Sequence, residues 1–299
     1  MKHSENSSRF EWITRSLERL SSGSSHMEEA LRRCENYSCR HPRDPWNLLL
    51  HREQGIWFQG HWYCSPNCFE RAAQSAFSTL LPATQESSKS PHRIPIGLLL
   101  LSRGTINDGQ LKRALFLQRE KGGGKIGKIL QEIQAASEQD ITEGLAAQWG
   151  CPTYPLRKAR DFLQCASLLP FTLLEAGRML PVHYLQLQQT LFLAFVDGVD
   201  RTVLYAVEQM LHVRTVPCVV SESDLSFALE SFRPHASAPT AVFESPSNPL
   251  EMARTSRSYA LQLGAKEVWA VRSGKFIWTR MRTGTGYKDI LFQSPGQIH

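Results

Sequence analysis

The sequence predicts a multidomain α+β protein. It has a small zinc-finger-like module, a tandem helical-hairpin repeat followed by an α/β sandwich, and a small C-terminal α/β module. Three observations carry that reading. Landmarks in one stretch recur thirty residues later: Gly97 and Gly127, Leu111 and Ile141, Leu115 and Leu145, Gln118 and Gln148. Repetition at a fixed period marks a supersecondary unit that buries its apolar face against its neighbour. Four of the seven cysteines fall in two close pairs, Cys34/Cys39 and Cys64/Cys68, around an aromatic-rich hairpin pattern. From Pro170 onward, helical and strand patterns alternate, which is the order of a layered α/β body.

A chain of 299 residues holds two or three modest domains. Hydrophobic residues make up 41% and charged residues 21%, an ordinary globular composition. The excess of 34 Lys and Arg over 28 Asp and Glu gives a net charge of +6, which suits an anionic partner without demanding one. No apolar run reaches the length of a membrane span, so no membrane insertion is expected. Met1 to Arg9 is polar and lacks the apolar centre of a signal peptide. With an odd cysteine count and no export signal, the expectation is a reducing, cytoplasmic setting without a disulfide framework.

Residues 1–27 are rich in Ser, Glu and Arg and read as disordered or weakly helical, with Phe10, Trp12, Ile13 and Leu17 as a short amphipathic pattern. Residues 28–81 form the finger-like module. Ile56 to Tyr63 reads as a β-hairpin turning at Gln59-Gly60, and Cys64-Ser65-Pro66-Asn67-Cys68 opens a helix. A knuckle, a hairpin and a cysteine pair at a helix start follow the order of a treble-clef zinc finger. Four thiolates, from Cys34, Cys39, Cys64 and Cys68, would give zinc a closed tetrahedral site of structural character. A module this small also needs such a staple. The bland alternative is four unrelated free cysteines. His41 and His61 rank below the cysteines as ligands. Arg32, Arg33, Arg40 and Arg43 offer a basic surface for nucleic acid or protein, or a solvated face. Residues 82–92, with Ser87, Ser88, Ser90 and Pro91, are a linker.

Residues 93–152 contain the two copies. Each opens with an apolar-Gly pair and a short apolar run, then a polar hinge, Asn107-Asp108-Gly109 or Ser137-Glu138-Gln139-Asp140. Asn107 and Ser137 are good N-caps with acidic residues following. Leu111, Leu115 and Ile141, Leu145 then recur at helical spacing. Glycine inside a helix costs about 1 kcal/mol relative to alanine. Gly97 and Gly127 therefore point either to a ligand approaching the backbone or to close helix packing.

On these residues, Arg93 to Pro152 resembles an MshEN domain, the N-terminal module of type II secretion and type IV pilus assembly ATPases. That family's motif reads Arg-Leu-Gly, apolar pair, Gly, apolar pair, Leu, Leu, Gln, in tandem, and many members bind cyclic di-GMP. Ile96-Gly97 and Ile126-Gly127 match its Leu-Gly, Leu111, Leu115, Ile141 and Leu145 its later leucines, and Gln118 and Gln148 its glutamines. The resemblance implies a cyclic di-GMP surface. There Ile96, Gly97, Ile126 and Gly127 admit the ligand to the backbone, the four later apolar residues pack the bases, the glutamines hydrogen-bond and Lys125 supplies charge. Three positions depart from the motif: Pro95 and Lys125 stand at the arginines and Gln134 at the second inner glycine. Proline cannot stack or fork as a guanidinium does, and lysine supplies a point charge.

Residues 153–233 resemble the remainder of the type II secretion ATPase (GspE-type) N-terminal domain. The sequence predicts a helix from Pro170, strands over Leu180–Leu187 and Thr190–Val196, a helix over Thr202–His212, a strand over Val213–Val220 and a helix capped by Ser221. The ATPase domain of that family is not expected here. Gly122 to Lys128 begins like a phosphate-binding loop, but Ile129 lacks the hydroxyl such a loop needs for magnesium. Residues 234–248 read as a linker. Residues 249–299 read as a helix and three strands, with Trp269, Phe276, Trp278 and Phe292 as core and Arg272, Lys275, Arg280, Arg282 and Lys288 as a basic side.

No cysteine–histidine, Ser/His/Asp or paired-carboxylate spacing supports catalysis, so no catalytic residue is nominated and the protein is read as a non-enzyme. Three functions fit the residues. One is a cytoplasmic regulatory module that senses cyclic di-GMP. Another is an adaptor for a protein of a secretion or pilus-type system that has lost nucleotide binding. The third is a zinc-finger regulator that binds nucleic acid.

Overall fold

The computed structural model describes residues 34–39, 55–81, 93–158, 162–236, 240–244 and 248–293. The N-terminal amphipathic pattern, Arg32, Arg33, Arg40, His41, Arg43 and the linker 82–92 lie outside the described residues.

In chain order, β1 (Ile56–Phe58), β2 (His61–Tyr63) and α1 (Pro66–Leu80) come first. Four helices follow, α2 (Ile96–Ser102), α3 (Asp108–Glu120), α4 (Ile126–Glu132) and α5 (Glu138–Trp149), then the short α6 (Phe162–Ala166) and α7 (Phe171–Gly177). Next are β3 (Met179–Leu185), β4 (Thr190–Phe195), α8 (Arg201–Leu211), β5 (Arg214–Val219) and α9 (Glu222–Phe232). Last are β6 (Ala241–Glu244), α10 (Pro249–Gln262), β7 (Glu267–Ser273), β8 (Phe276–Thr283) and β9 (Gly286–Gln293). The mixed α+β architecture with two sheets agrees with the sequence reading.

Two units emerge. One comprises the described residues of Met1–Gln85, Tyr205–His212 and Pro239–His299, the other those of Glu86–Leu204 and Val213–Ala238.

In the first unit the stretches read as 28–81 and 249–299 share one sheet, ordered β2-β1-β7-β8-β9-β6. β1 pairs with β7 in parallel, as β6 does with β9, and the other neighbours are antiparallel. The β1–β2 turn has positive φ at Gln59 (53°) and Gly60 (80°), which suits a two-residue hairpin. α1 starts on Pro66 behind Ser65, whose side chain accepts from Cys68 N–H. α1 and α10 bury Phe69, Phe77, Met252 and Ala253 against Phe58, Val268, Ile277 and Phe292. Phe58 meets Phe69 edge-on at 5.4 Å, and Phe77 meets Phe292 at 5.6 Å.

Two expectations are revised here. Ala241–Glu244, inside the stretch read as linker, is strand β6. Arg280 is not part of a basic surface. It is 7% exposed and forks onto its cross-strand partner Asp289 with two contacts of 2.8 Å. The Trp278 indole also donates to Asp289, at 2.7 Å. A buried charge of this kind persists because it is paired and fully hydrogen-bonded.

In the second unit both copies form helical hairpins. Asn107 and Gln110 bond reciprocally, as do Ser137 and Asp140, so each second helix begins with a complete capping box. α2 lies against α5 and α3 against α4, so each hairpin packs on the other. Leu100, Ile106, Leu111, Ala114, Ile129, Leu130, Ala136 and Ile141 form their shared core. A Cβ on Gly97 would sit 2.7 Å from Leu111 Cδ1, and one on Gly127 would sit 3.0 Å from Ile141 Cγ2. Close helix packing thus accounts for both glycines. Gly104 (φ 72°) and Gln134 (φ 56°) are both left-handed, so the backbone repeats even where the motif glycine is replaced.

The sandwich sheet is ordered β3-β4-β5, antiparallel then parallel, with α8 as the crossover between β4 and β5. Ser221 caps α9 by accepting from Asp224 N–H. Gly198, just after β4, lies against the indole of Trp149. A Cβ there would come within 2.4 Å of Trp149 Cζ2. The ring is rigid and cannot fold away as a leucine tip can. Gly198→Ala should therefore cost about 1–3 kcal/mol of stability, visible as a lower melting temperature by circular dichroism.

Candidate ligand cleft and thiolate cluster

The closing glutamines show how the copies are related. Gln118 donates to the carbonyl of Gly124 at 2.6 Å, and Gln148 donates to the carbonyl of Ile94 at 2.7 Å. Ile94 and Gly124 are themselves thirty residues apart. The end of each copy is thus tied to the beginning of the other, the exchange a two-fold axis produces.

Beside the second copy lies a cleft of about 270 Å³. Its floor is apolar, from Ile96 of the first copy, Ile126, Ile141 and Leu145 of the second, and Val196 and Val220 of the sandwich. Lys125, Lys128, Gln131, Glu138, Asp197 and Glu222 line its polar side. Lys125 pairs with Asp197 at 2.6 Å and Lys128 with Glu222 at 3.5 Å. Arg178 joins the two pairs, with Nη2 2.9 Å from Glu222 and Nε 3.4 Å from Asp197. Glu138 accepts from the N–H of Ser223 at 2.8 Å and from its hydroxyl at 2.7 Å. The hydrogen bond from Arg178 holds the Glu222 carboxyl below the ordinary glutamate range, against partial burial and with help from Lys128.

Of the residues nominated from sequence, Ile96, Lys125, Ile126, Gly127, Ile141 and Leu145 line this cleft. Gly97 and Leu111 are buried between α2 and α3, and Leu115 is 40% exposed on α3. Gln118 and Gln148 bond the backbone as described. The sequence did not nominate Asp197, Glu222 or Arg178. Asp197 lies two residues past the end of β4, in an acidic turn from which such a signal could have come. Glu222 and Arg178 reach the site through tertiary packing alone.

In the first unit Cys34, Cys39, Cys64 and Cys68 are free thiols whose sulfurs all lie within 4.8 Å of one another. Cys39 is 3.5 Å from Cys64, and Cys64 is 3.9 Å from Cys68. Metal–sulfur bonds of ~2.3 Å in a tetrahedron put sulfurs about 3.8 Å apart, so the cluster can hold a metal ion. The knuckle is shaped by Asn36, whose carbonyl accepts from Cys39 N–H at 2.9 Å, and is tied to β2 by Glu35 N–H to Trp62 O at 3.1 Å. Burial pushes the Cys64 thiol well up. At Cys68 burial acts the same way, but hydrogen bonds with Ser65, Asn36 and the neighbouring thiols outweigh it and favour the thiolate.

No family model matches the chain. The chain is 25% identical over 144 residues to the type IV pilus assembly ATPase PilB of Thermus thermophilus, a match that covers 48% of this chain and 16% of that protein. Among solved structures, MshE with cdg aligns over 47% of this chain and 99% of its own, at 25% identity and a TM-score of 0.41. The N-terminal domain of XpsE aligns in two crystal forms. One covers 46% of this chain and 92% of that one at 24% identity and TM-score 0.35. The other covers 49% and 97% at 26% and 0.29. About half of the chain is thus similar to secretion-ATPase N-terminal domains. Among the described residues no helix is long and apolar enough to cross a membrane.

The lowered Glu222 pKa carries a stability consequence. A carboxyl depressed in the folded state adds stability above its unfolded value, and that stability is lost as pH falls through the folded one. The wild type should therefore lose thermal stability below about pH 4.3, the ordinary glutamate value. Glu222→Gln should lose less as the pH falls below that value, and parallel melting curves for the two proteins there would contradict this.

Proposed function

We propose that the repeat pair and its sandwich form a non-enzymatic regulatory module that binds a cyclic dinucleotide, cyclic di-GMP, in the cleft beside the second copy. The observation that carries this reading is the cleft's division into an apolar floor and a polar rim where Lys125 and Lys128 stand beside Glu138, Asp197 and Glu222. Planar bases suit the first and phosphates the second. The solved structure of MshE with cdg and the similarity to a pilus assembly ATPase support the same reading. They also favour a partner from a secretion or pilus-type system. The four-thiol cluster would hold zinc in a closed structural site, since soft thiolates at tetrahedral spacing leave no open position for chemistry. Thiols kept free in this way suit a reducing cytoplasm.

A second reading is a protein adaptor without a nucleotide. Its support is specific: Lys125 is already paired with Asp197, and Pro95 stands at the position thirty residues earlier.

Titration calorimetry separates the two. Cyclic di-GMP should bind the wild type, and Lys125→Ala should weaken binding roughly fivefold or more. No heat at ~1 mM ligand would leave the adaptor. For the cluster, elemental analysis should give about one zinc per chain. Cys68→Ser should lose that zinc and lower the melting temperature. Stable protein without bound zinc would refute the assignment.

A further inference from the structure

We infer that Arg178 is a ligand-binding guanidinium of the cleft, supplying from the sandwich the planar fork that Pro95 and Lys125 do not. The inference rests on the cyclic dinucleotide reading of the cleft and names a residue for it.

Two independent observations lead to Arg178. The first is its backbone. Arg178 ends α7 in the left-handed region, at φ 45° and ψ 52°, while the residue before it is glycine. Left-handed positions favour glycine, because a Cβ crowds the following carbonyl. An arginine held there stores local strain, which is tolerated where the side chain has work to do.

The second is where that side chain goes. Its guanidinium reaches the two cleft carboxylates that also hold Lys125 and Lys128. It is 40% exposed, so solvent and solutes reach it. Its guanidinium is shared between two carboxylates, with Nη2 2.9 Å from Glu222 and Nε 3.4 Å from Asp197, where one phosphate could take both N–H groups. A phosphate entering between Lys125 and Lys128 meets a planar donor that a single phosphate can engage through two N–H groups. Glu138, the remaining carboxylate of the cleft, is engaged by Ser223 and does not compete for the fork.

The repeats explain why such a donor is required. Position 95 is proline and position 125 is lysine, so neither of these two equivalent positions offers a fork. Lys125 and Lys128 contribute point charges, and both are spread over carboxylates. Arg178 thus discriminates a phosphodiester from a simple anion, while the lysines set the overall attraction.

The test is calorimetric titration of cyclic di-GMP into the full chain, as wild type, Arg178→Lys and Arg178→Gly, with a thermal melt of each. Arg178→Lys keeps the charge and loses the fork, and should weaken binding roughly tenfold at unchanged melting temperature. Arg178→Gly should weaken it further, whatever its melting temperature, which sums relief of the left-handed backbone and loss of the Glu222 and Asp197 contacts. A structural role would instead leave the lysine variant binding like wild type, and that outcome overturns the inference. Wild-type affinity in both variants overturns it while the cleft reading stands. A wild type that gives no heat removes the cleft reading and this inference together.

Discussion

Neither helical hairpin can bury its apolar face alone, and the second unit follows from that constraint. Leu100 and Ile106 of one copy need Ile129 and Leu130 of the other, and the four form one shared core. Because each partner is a near repeat, the solution is reciprocal. α2 takes α5 and α3 takes α4, while Gln118 and Gln148 tie each copy's end to the other's start. The glycines at 97 and 127 let each hairpin close on itself, since a methyl at either would press on Leu111 or Ile141 of the same copy. A glycine that costs helix stability is kept where packing needs the missing side chain.

Reciprocity stops at the surface. Lys125 and Lys128 of the second copy correspond to Pro95 and Leu98 of the first. The second copy faces Asp197 and Glu222 across the cleft and is charged there. On the first copy Leu98 and Leu115 remain 50% and 40% exposed. Duplication gave two equivalent faces, and substitution has made one polar and left the other apolar. A two-fold ligand on this pair would meet different chemistry on its two halves.

The sequence read well where the signal is local. The thirty-residue period, the caps at Asn107 and Ser137 and the cysteine pairs each sit within a short window, and the structure places each accordingly. It read poorly where partners lie far apart in the chain. Trp57 and Phe58 pair with Glu267 and Val268, and no local pattern announces a parallel pairing across more than two hundred residues. Ala241–Glu244 is four residues among Pro and Ser, too short for an alternating pattern to outweigh its neighbours. Arg280 looks like surface charge until the β8–β9 register sets Asp289 opposite it. The cleft failed for the same reason. Most of its apolar floor was legible in the repeats, but Asp197, Glu222 and Arg178 come from the ends of sandwich elements.

That division also says why the cleft sits where it does. A repeat pair alone offers two symmetric apolar faces and, in this chain, lysines on one of them. The face with Lys125 and Lys128 meets carboxylates of the sandwich, at Asp197 and Glu222, with Arg178 between them. Such partly exposed ion pairs are individually weak, so they hold the repeat against the sandwich without fixing it there irreversibly. An anion that competes for these cations exchanges one set of modest interactions for another and need not pay to expose a buried charge. The same geometry therefore makes the cleft a place where binding and the contact between repeat and sandwich draw on one group of charges. Their linkage follows from that sharing, whichever of the two has the stronger claim on Lys125.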